Sequence, residues 1–121
     1  MSDTPDTLIM TLATGPVTIR LRPDLAPGHV ARITELAREG FYDGVVFHRV
    51  IDGFMAQGGD PTGTGSGGSD KPNLKSEFSN APHERGACSM ARTSNPHSAN
   101  SQFFICLADS NFLDGQYTVW G

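Results

Sequence analysis

Arg49 and Gln57 are polar side chains in a stretch otherwise rich in large apolar residues, and their types allow them to bind and polarise a ligand. Between them, Asp52-Gly53 favours a two-residue hairpin turn, because Gly adopts the positive φ that such turns require without steric cost. Side chains two apart on a strand share a face, so Met55 and Gln57 are expected to point the same way. A fixed cation beside an apolar pocket and an amide suits a neutral ligand with a carbonyl group and an apolar ring.

A third polar side chain, Gln102, starts the strongest strand signal in the chain, which runs from residue 102 to residue 107. Each polar residue alone is more often a solvated strand residue, and the apolar residues alone are more often plain core. Their grouping favours one cleft that Arg49, Gln57 and Gln102 all reach. The large apolar side chains expected beside it are Phe54, Met55 and Phe104. Spacing alone therefore predicts a peptide-like binding cleft.

The glycine-rich segment over residues 58–73 contains a run, from Gly63 to Gly68, with the spacing Gly-x-Gly-x-x-Gly. A dinucleotide site of this kind needs a helix directly after the glycines, so that the helix N-terminus faces the pyrophosphate. The next residues, 69–73, include Pro72 and do not predict a helix. We therefore interpret the segment as a flexible loop at the rim of the cleft and not as a phosphate site.

Other catalytic chemistries find little support in the sequence. The four histidines, which show no metal-ligand spacing, are His29, His48, His83 and His97. Cys88 and Cys106 lie in apolar strand segments, where an inert thiol is the usual outcome. No Gly-x-Ser-x-Gly motif is present for a serine nucleophile. We expect no metal and no cofactor.

The chain begins with a predicted hairpin. Residues 7–13 and 17–22 alternate between apolar and polar side chains around a turn at residues 14–16. Ile9 interrupts the polar face, which suggests that another part of the protein covers it.

A helix and further strands follow the hairpin. Residues 29–39 have helical periodicity, with Pro27 suited to the first turn and Gly40 to the C-terminal cap. Short strands are expected at residues 87–91 and again from residue 117. Several short strands around one helix predict a mainly β protein with a curled or closed antiparallel sheet.

Composition excludes several classes of partner. The 121 residues suffice for a single domain, of which residues 1–6 are expected to form a disordered leader. A formal net charge of −4 argues against nucleic acid and against anionic membranes. Two cysteines make no disulfide framework, and no signal peptide is visible, so we expect a cytoplasmic protein with reduced thiols.

The run from Phe47 to Asp60 resembles the signature of the cyclophilins, the cyclosporin-binding class of peptidyl-prolyl cis-trans isomerases. Later blocks resemble the family in the same order: Ser89-Met90-Ala91, Ser101-Gln102-Phe103-Phe104-Ile105 and Leu113-Asp114-Gly115. The resemblance extends from about Leu8 to Gly121 and implies an antiparallel β-barrel of eight strands capped by two helices. Because the sequence stops at Gly121, the last helix and the closing strand are expected to be missing.

The resemblance also implies roles for individual residues. Arg49 would stabilise the twisted amide of an X–Pro bond, and Gln57 would bind the substrate carbonyl. Phe54, the third implied catalytic residue, would form part of the pocket for the proline ring. The implied substrate-binding residues are Met55, Ala91, Arg92, Gln102, Phe104, Phe112, Leu113 and Tyr117. The implied partners are proline-containing peptides and unfolded protein clients, and no metal takes part.

Three positions depart from the family pattern. Arg92 replaces a common asparagine that contacts the ligand through its backbone, so we expect the contact to be kept and a charge added at the rim. Phe112 stands in place of a tryptophan and Tyr117 in place of a histidine. Loss of the indole N–H removes a donor toward cyclosporin, which predicts weakened drug affinity with isomerisation retained.

Two alternatives to the isomerase stay open at this point. The first is a non-catalytic proline-peptide binding module or chaperone, which would use the same cleft and which an incomplete barrel favours. The second is a nucleotide-binding protein that uses the glycine-rich segment. The cation at Arg49 favours the enzyme.

Overall fold

A computed structural model describes residues 7–12, 14–65 and 67–121. The elements over these residues are β1 (Thr7–Leu12), β2 (Gly15–Arg20), α1 (Pro27–Arg38), β3 (Arg49–Ile51), β4 (Met55–Gly58), β5 (Cys88–Met90), β6 (Phe103–Cys106) and a 3-10 helix (Asn111–Leu113). The mainly β architecture expected from the sequence is confirmed. The leader expected over residues 1–6 lies outside the described residues.

The first hairpin pairs β1 with β2 in antiparallel register and forms a two-stranded sheet. Its turn is shorter than the sequence suggested, because Leu12 already pairs with Gly15 and the strand begins there. Gly15 adopts a φ of 131°, which a residue with a side chain rarely does. The expectation that Ile9 is covered is wrong for the described part of the chain, since the Ile9 side chain is 63% exposed.

Helix α1 follows the predicted helical stripe and begins two residues earlier than its periodicity indicated. Pro27 occupies the first turn, where its missing N–H costs nothing and its fixed φ is already helical. Gly40 ends the helix with a φ of 75°. The buried apolar face of α1 packs Val30 and Ile33 into the core that also contains the wholly buried Trp120.

The second sheet has the strand order β3-β4-β6-β5, with all neighbours antiparallel. β5 and β6 confirm the strands predicted at residues 87–91 and 102–107. Val119 forms a bridge to Ser89 on the outer side of β5, where the sequence predicted a strand to begin. Because side chains alternate across a strand, β6 places Phe103 against the main core and Phe104 against a second apolar cluster on the opposite face.

An open apolar cavity of about 700 Å³ lies on the main-core side of β6, between β1, α1 and the segment at residues 42–47. Ile9, Phe103 and Trp120 are among its lining residues, and none of the predicted site residues lines it. In the described part of the chain, we find no helix with the length and apolar character needed to cross a membrane.

Candidate functional site

A row of paired residues crosses the four-stranded sheet and carries the predicted catalytic groups. Arg49 on β3 lies opposite Gln57 on β4, and Gln57 lies opposite Phe104 on β6. Side chains of directly paired residues project from the same face of an antiparallel sheet. The hairpin around Gly53 sets this register and so places the cation, the amide and the aromatic ring side by side. Its loop has three residues, because Ile51 pairs with Met55, so the two-residue turn expected from the sequence is wrong, although Gly53 does adopt a positive φ of 72°.

The Arg49 side chain is exposed at the outer end of this row, on an edge strand. Within the described residues, no side-chain hydrogen bond or ion pair holds its guanidinium. Arginine stays charged and carries several donors in a fixed planar fork. The group is therefore available to a ligand that occupies the same face.

The apolar side of the site is the second cluster. Its buried members are Met55, Phe104 and Cys106, and the partly buried side chains packed against them include Phe54, Ala91, Leu113 and Tyr117. The side chains expected to form a pocket for the proline ring, Phe54, Met55, Phe104 and Leu113, thus come together from the hairpin loop, β4, β6 and the 3-10 helix, with Ala91 and Tyr117 packed beside them. Phe104 and Tyr117 meet edge to face, with ring centroids 5.6 Å apart.

Phe112 lies at the rim of this cluster on the 3-10 helix and is 67% exposed. Its ring centroid is 5.6 Å from that of Phe54, with the two ring planes tilted by 31°. An aromatic pair beside an apolar cluster, with Phe112 exposed and Phe54 partly buried, offers area to a ligand at low entropic cost, because aromatic side chains have few rotatable bonds.

Gln57 and Gln102 meet through their side-chain amides. Gln57 Nε2 donates to Gln102 Oε1 at 2.9 Å, although the two residues are 45 positions apart in the chain. Gln102 Nε2 in turn donates to the backbone carbonyls of Gly65 and Gly67, at 2.9 and 2.8 Å. The amides predicted from spacing alone to share a cleft are therefore in direct contact, with the glycine-rich loop behind them.

Arg92 lies beside the same cluster, but its guanidinium already contacts other groups of the chain. Its guanidinium carbon is 4.7 Å from the centre of the Tyr117 ring, and its Nε and Nη2 donate to the carbonyl of Gln116 at 3.0 and 2.7 Å. A cation over an aromatic face is attracted by the ring quadrupole. Arg92 thus connects the segment after β5 to the segment that carries Tyr117.

The sequence pattern gives no indication of His83, because the four histidines show no common spacing. His83 is wholly buried and stacks on Phe104, with ring centroids 6.0 Å apart and planes within 16°. Its Nδ1 is bonded to Asp114 and its Nε2 to Ser89, each at 3.0 Å. His83 therefore supports Phe104 from behind, and only the tertiary contact identifies it, since nothing in the local pattern around residue 83 does.

The glycine-rich loop is not arranged for phosphate. The amides of Thr62, Thr64 and Gly65 all donate to the carboxylate of Asp60, at 2.8, 3.1 and 2.6 Å. Successive backbone N–H groups form an anion-binding concavity, and here the anion belongs to the chain itself. Burial raises the pKa of Asp60, but hydrogen bonds from the loop outweigh it and hold that pKa well below its usual range. The interpretation of a freely flexible loop is not supported by these contacts.

Metal and thiol chemistry find no site among the described residues. No group of three or more His, Cys, Asp or Glu side chains is placed to hold a metal ion there. Cys88 and Cys106 are free and buried. Burial raises the pKa of the Cys88 thiol to about 12 and also raises that of Cys106. Neither thiol is therefore a nucleophile near neutral pH.

The chain is similar to known proteins along most of its length. The family model of the cyclophilin type peptidyl-prolyl cis-trans isomerases matches residues 7–121. A probable peptidyl-prolyl cis-trans isomerase of Brucella suis is 53% identical over 99% of this chain and 67% of its own length. Peptidyl-prolyl cis-trans isomerase B of Bacillus subtilis is 48% identical over 87% of this chain and 73% of its own length.

Solved structures agree with the sequence relatives. A Cryptosporidium parvum cyclophilin superposes with a TM-score of 0.92 at 31% identity, over 96% of this chain and 75% of its own. A structure of that protein in the presence of the dipeptide Ala-Pro gives a TM-score of 0.90. A cyclophilin of Hirschia baltica gives 0.88 at 32% identity, over 98% of this chain and 64% of its own.

The chain belongs to the cyclophilin-type peptidyl-prolyl cis-trans isomerases. The expected fold class and the expected isomerase activity are therefore confirmed at the level of the family. The chain spans about two thirds of the length of the Brucella suis relative.

Proposed function

We propose that this chain isomerises X–Pro bonds in flexible or unfolded polypeptides without a covalent intermediate, with Arg49 acting on the twisted amide. The observation that carries the proposal is the register that sets Arg49 opposite Gln57, on the face that also presents Phe104. Amide resonance imposes a barrier of about 18–20 kcal/mol, and uncatalysed X–Pro exchange takes tens to hundreds of seconds. Any interaction that removes the proline nitrogen lone pair from conjugation lowers that barrier.

In the proposed complex the proline ring occupies the apolar cluster, against Phe54, Met55, Phe104 and Leu113. The remaining N–H of the Gln57 amide donates to the substrate carbonyl. The Arg49 guanidinium donates a hydrogen bond to the proline nitrogen as that nitrogen becomes pyramidal. This contact accelerates the reaction because it is stronger in the twisted state than in either planar isomer.

Groove contacts outside the ring pocket complete the proposal. Ala91, Arg92 and Gln102 would line the path of the peptide, with Tyr117 and Phe112 at its rim. The buried free thiols of Cys88 and Cys106 support a reducing compartment, and a cytoplasmic location is part of the proposal. Cyclosporin would bind at the same cluster. Its affinity would be lower than for family members that have a tryptophan in place of Phe112.

Exchange NMR on an X–Pro tetrapeptide tests the proposal. We expect the chain to accelerate cis–trans exchange, and Arg49→Ala to lower kcat/KM by about 100-fold or more, as removal of a transition-state donor commonly does. Arg49→Lys should recover only part of the loss, because a point charge lacks the planar fork. Arg20→Ala, which removes an exposed cation from the other sheet, is the matched control and should leave the rate unchanged.

Peptide affinity separates the enzyme from the binding module. Arg49→Ala should retain measurable peptide binding, since the apolar cluster is unchanged. Tight peptide binding by the wild-type chain without faster exchange would establish the non-catalytic module instead. Equal turnover of Arg49→Ala and wild type would remove Arg49 from the mechanism.

A further inference from the structure

The glycine-rich loop closes on the carboxylate of Asp60, close after the strand that carries Gln57. Asp60 comes two residues after the end of β4 and its residue is wholly buried. Besides the loop amides, Thr62 Oγ1 donates to both carboxylate oxygens, at 2.7 and 2.9 Å. A buried ion is retained only where hydrogen bonds replace its lost hydration. For the Asp60 carboxylate, those hydrogen bonds come from the backbone and side chains of the loop.

The outer side of the same loop faces the site. Gln102 Nε2 donates to the carbonyls of Gly65 and Gly67, so both N–H groups of this amide are occupied. The position of these two carbonyls depends on the loop conformation, and Gly65 donates its own N–H to Asp60. Asp60 and Gln102 therefore both bind Gly65, Asp60 through its N–H and Gln102 through its carbonyl.

The orientation of Gln102 determines that of Gln57. Rotating the Gln102 amide by 180° about its last side-chain bond would place its oxygen against the carbonyl oxygens of Gly65 and Gly67. The same rotation would place its NH₂ group against the NH₂ group of Gln57. Both contacts would be repulsive. The loop carbonyls therefore allow only one orientation of the Gln102 amide, in which Gln102 Oε1 accepts from Gln57 Nε2. Gln57 then presents one free N–H and its carbonyl oxygen to a ligand.

We propose that Asp60 is a positioning residue of the isomerase: by closing the glycine-rich loop it fixes the amide of Gln102 and, through Gln102, the donor that Gln57 offers to the substrate. The proposal rests on the proposed function of Gln57, and Asp60 itself never touches the substrate. It gives the glycine-rich segment a function that its resemblance to a phosphate-binding motif does not supply. Glycine is required at Gly67, where a Cβ would collide with Asp60 and Thr62.

Asp60→Asn tests the proposal, because it keeps one acceptor oxygen and turns the other into a donor facing N–H groups. We expect kcat/KM to fall by about tenfold, the size of one lost orienting hydrogen bond. Asp70→Asn removes the same charge from an exposed position further along the loop, and should change kcat/KM by less than about twofold. A wild-type rate for Asp60→Asn would overturn the proposal.

A double-mutant cycle with Gln102→Leu distinguishes positioning from a general loss of structure. If Asp60 acts through Gln102, the double variant should be no slower than the slower single variant, because the second change removes a link that is already broken. Additive losses, in which the fold-reductions multiply, would overturn the proposal.

Side-chain amide NMR of the free protein gives a readout that does not need turnover. We expect single, slowly exchanging NH₂ signals for Gln57 and Gln102 in the wild type and broadened or doubled signals in Asp60→Asn. If Asp60→Asn does not fold, Thr62→Val carries the same test, since it removes two bonds to the carboxylate and keeps the charge. Unchanged amide signals in the folded variant would overturn the proposal, whereas a wild-type chain without isomerase activity would overturn only the proposed function.

Discussion

Arg49 and Gln57 lie directly opposite each other in the antiparallel pair β3–β4, so one hairpin positions both of these polar groups of the site. Opposed residues in such a pair have Cβ atoms about 4.5–5.5 Å apart. The distance between cation and amide thus depends on backbone pairing and not on a long loop. A one-residue shift of β3 against β4 would turn Arg49 to the face opposite Gln57 and separate the two groups.

Arg92 is expected to stabilise the C-terminal segment as well as to border the groove. Arg92→Ala removes the contact with Tyr117 and the two bonds to the Gln116 carbonyl, and should lower the free energy of unfolding by about 1–2 kcal/mol. Urea denaturation measures the loss. Arg85→Ala, at an exposed position, should be neutral, and equal stability of Arg92→Ala and wild type would show that these contacts contribute nothing.

Phe112 provides a direct test of the proposal that cyclosporin affinity is reduced. Phe112→Trp restores an indole N–H at an exposed rim position, and one added hydrogen bond should tighten cyclosporin binding by about tenfold. Titration calorimetry on both proteins gives the ratio, with the unmodified Phe112 as the aromatic residue that lacks a donor. Nanomolar affinity of the unmodified chain would contradict the expectation.

Acid should destabilise the protein through His29, whose ring is wholly buried beside Glu77. Burial lowers the pKa of His29 below its ordinary 6.5, and the buried Nε2 has no hydrogen-bond partner among the described residues. As pH falls through 6.5, the unfolded chain takes up a proton that the folded chain does not, so stability falls with pH. Hydrogen bonds also hold the pKa of Glu77 below 4.5 against its burial, which adds a second loss at more acidic pH.

Urea denaturation between about pH 7 and about pH 5 measures the contribution of His29. His29→Asn should make the free energy of unfolding less dependent on pH in this range, because the variant lacks the buried imidazole that stays neutral only in the folded chain. His97→Asn, at an exposed histidine, should keep the wild-type slope. Stability that rises on acidification in the wild type would reverse the sign and refute the assignment.

Both thiols should be unreactive in the folded protein. Cys88 and Cys106 are 2% and 1% exposed, and burial raises the pKa of each thiol. A chromogenic disulfide reagent should label neither cysteine in native buffer within minutes and both in concentrated urea. Fast native labelling of one thiol would place it at an accessible position, contrary to the fold.

Local patterns were sufficient to predict much of this architecture. Alternation along residues 102–107 correctly assigned Phe103 and Phe104 to opposite faces, because the period of a strand is a property of its backbone. Helical periodicity, with Pro27 and Gly40 as its limits, located α1 to within two residues at its start. The first turn was misplaced, since Gly15 and Pro16 are read as turn residues although Gly15 already pairs with Leu12.

Contacts between distant segments could not be predicted in this way. Spacing indicated that Gln57 and Gln102 share a cleft, but not that a loop 35 to 37 residues before Gln102 would hold its amide. The stacking of His83 on Phe104 is likewise a tertiary contact without a local signal. Periodicity determines which face a side chain takes, whereas the packing of the whole chain determines what covers that face.

Amides that already donate to a carboxylate of their own chain are not free to bind the phosphates of a nucleotide, whatever the glycine spacing of the loop. Here the carboxylate belongs to Asp60, three residues before Gly63, which is the first glycine of the Gly-x-Gly-x-x-Gly run. An acidic residue at that offset therefore offers a simple criterion for rejecting false matches when glycine patterns are used to search proteomes for dinucleotide-binding proteins.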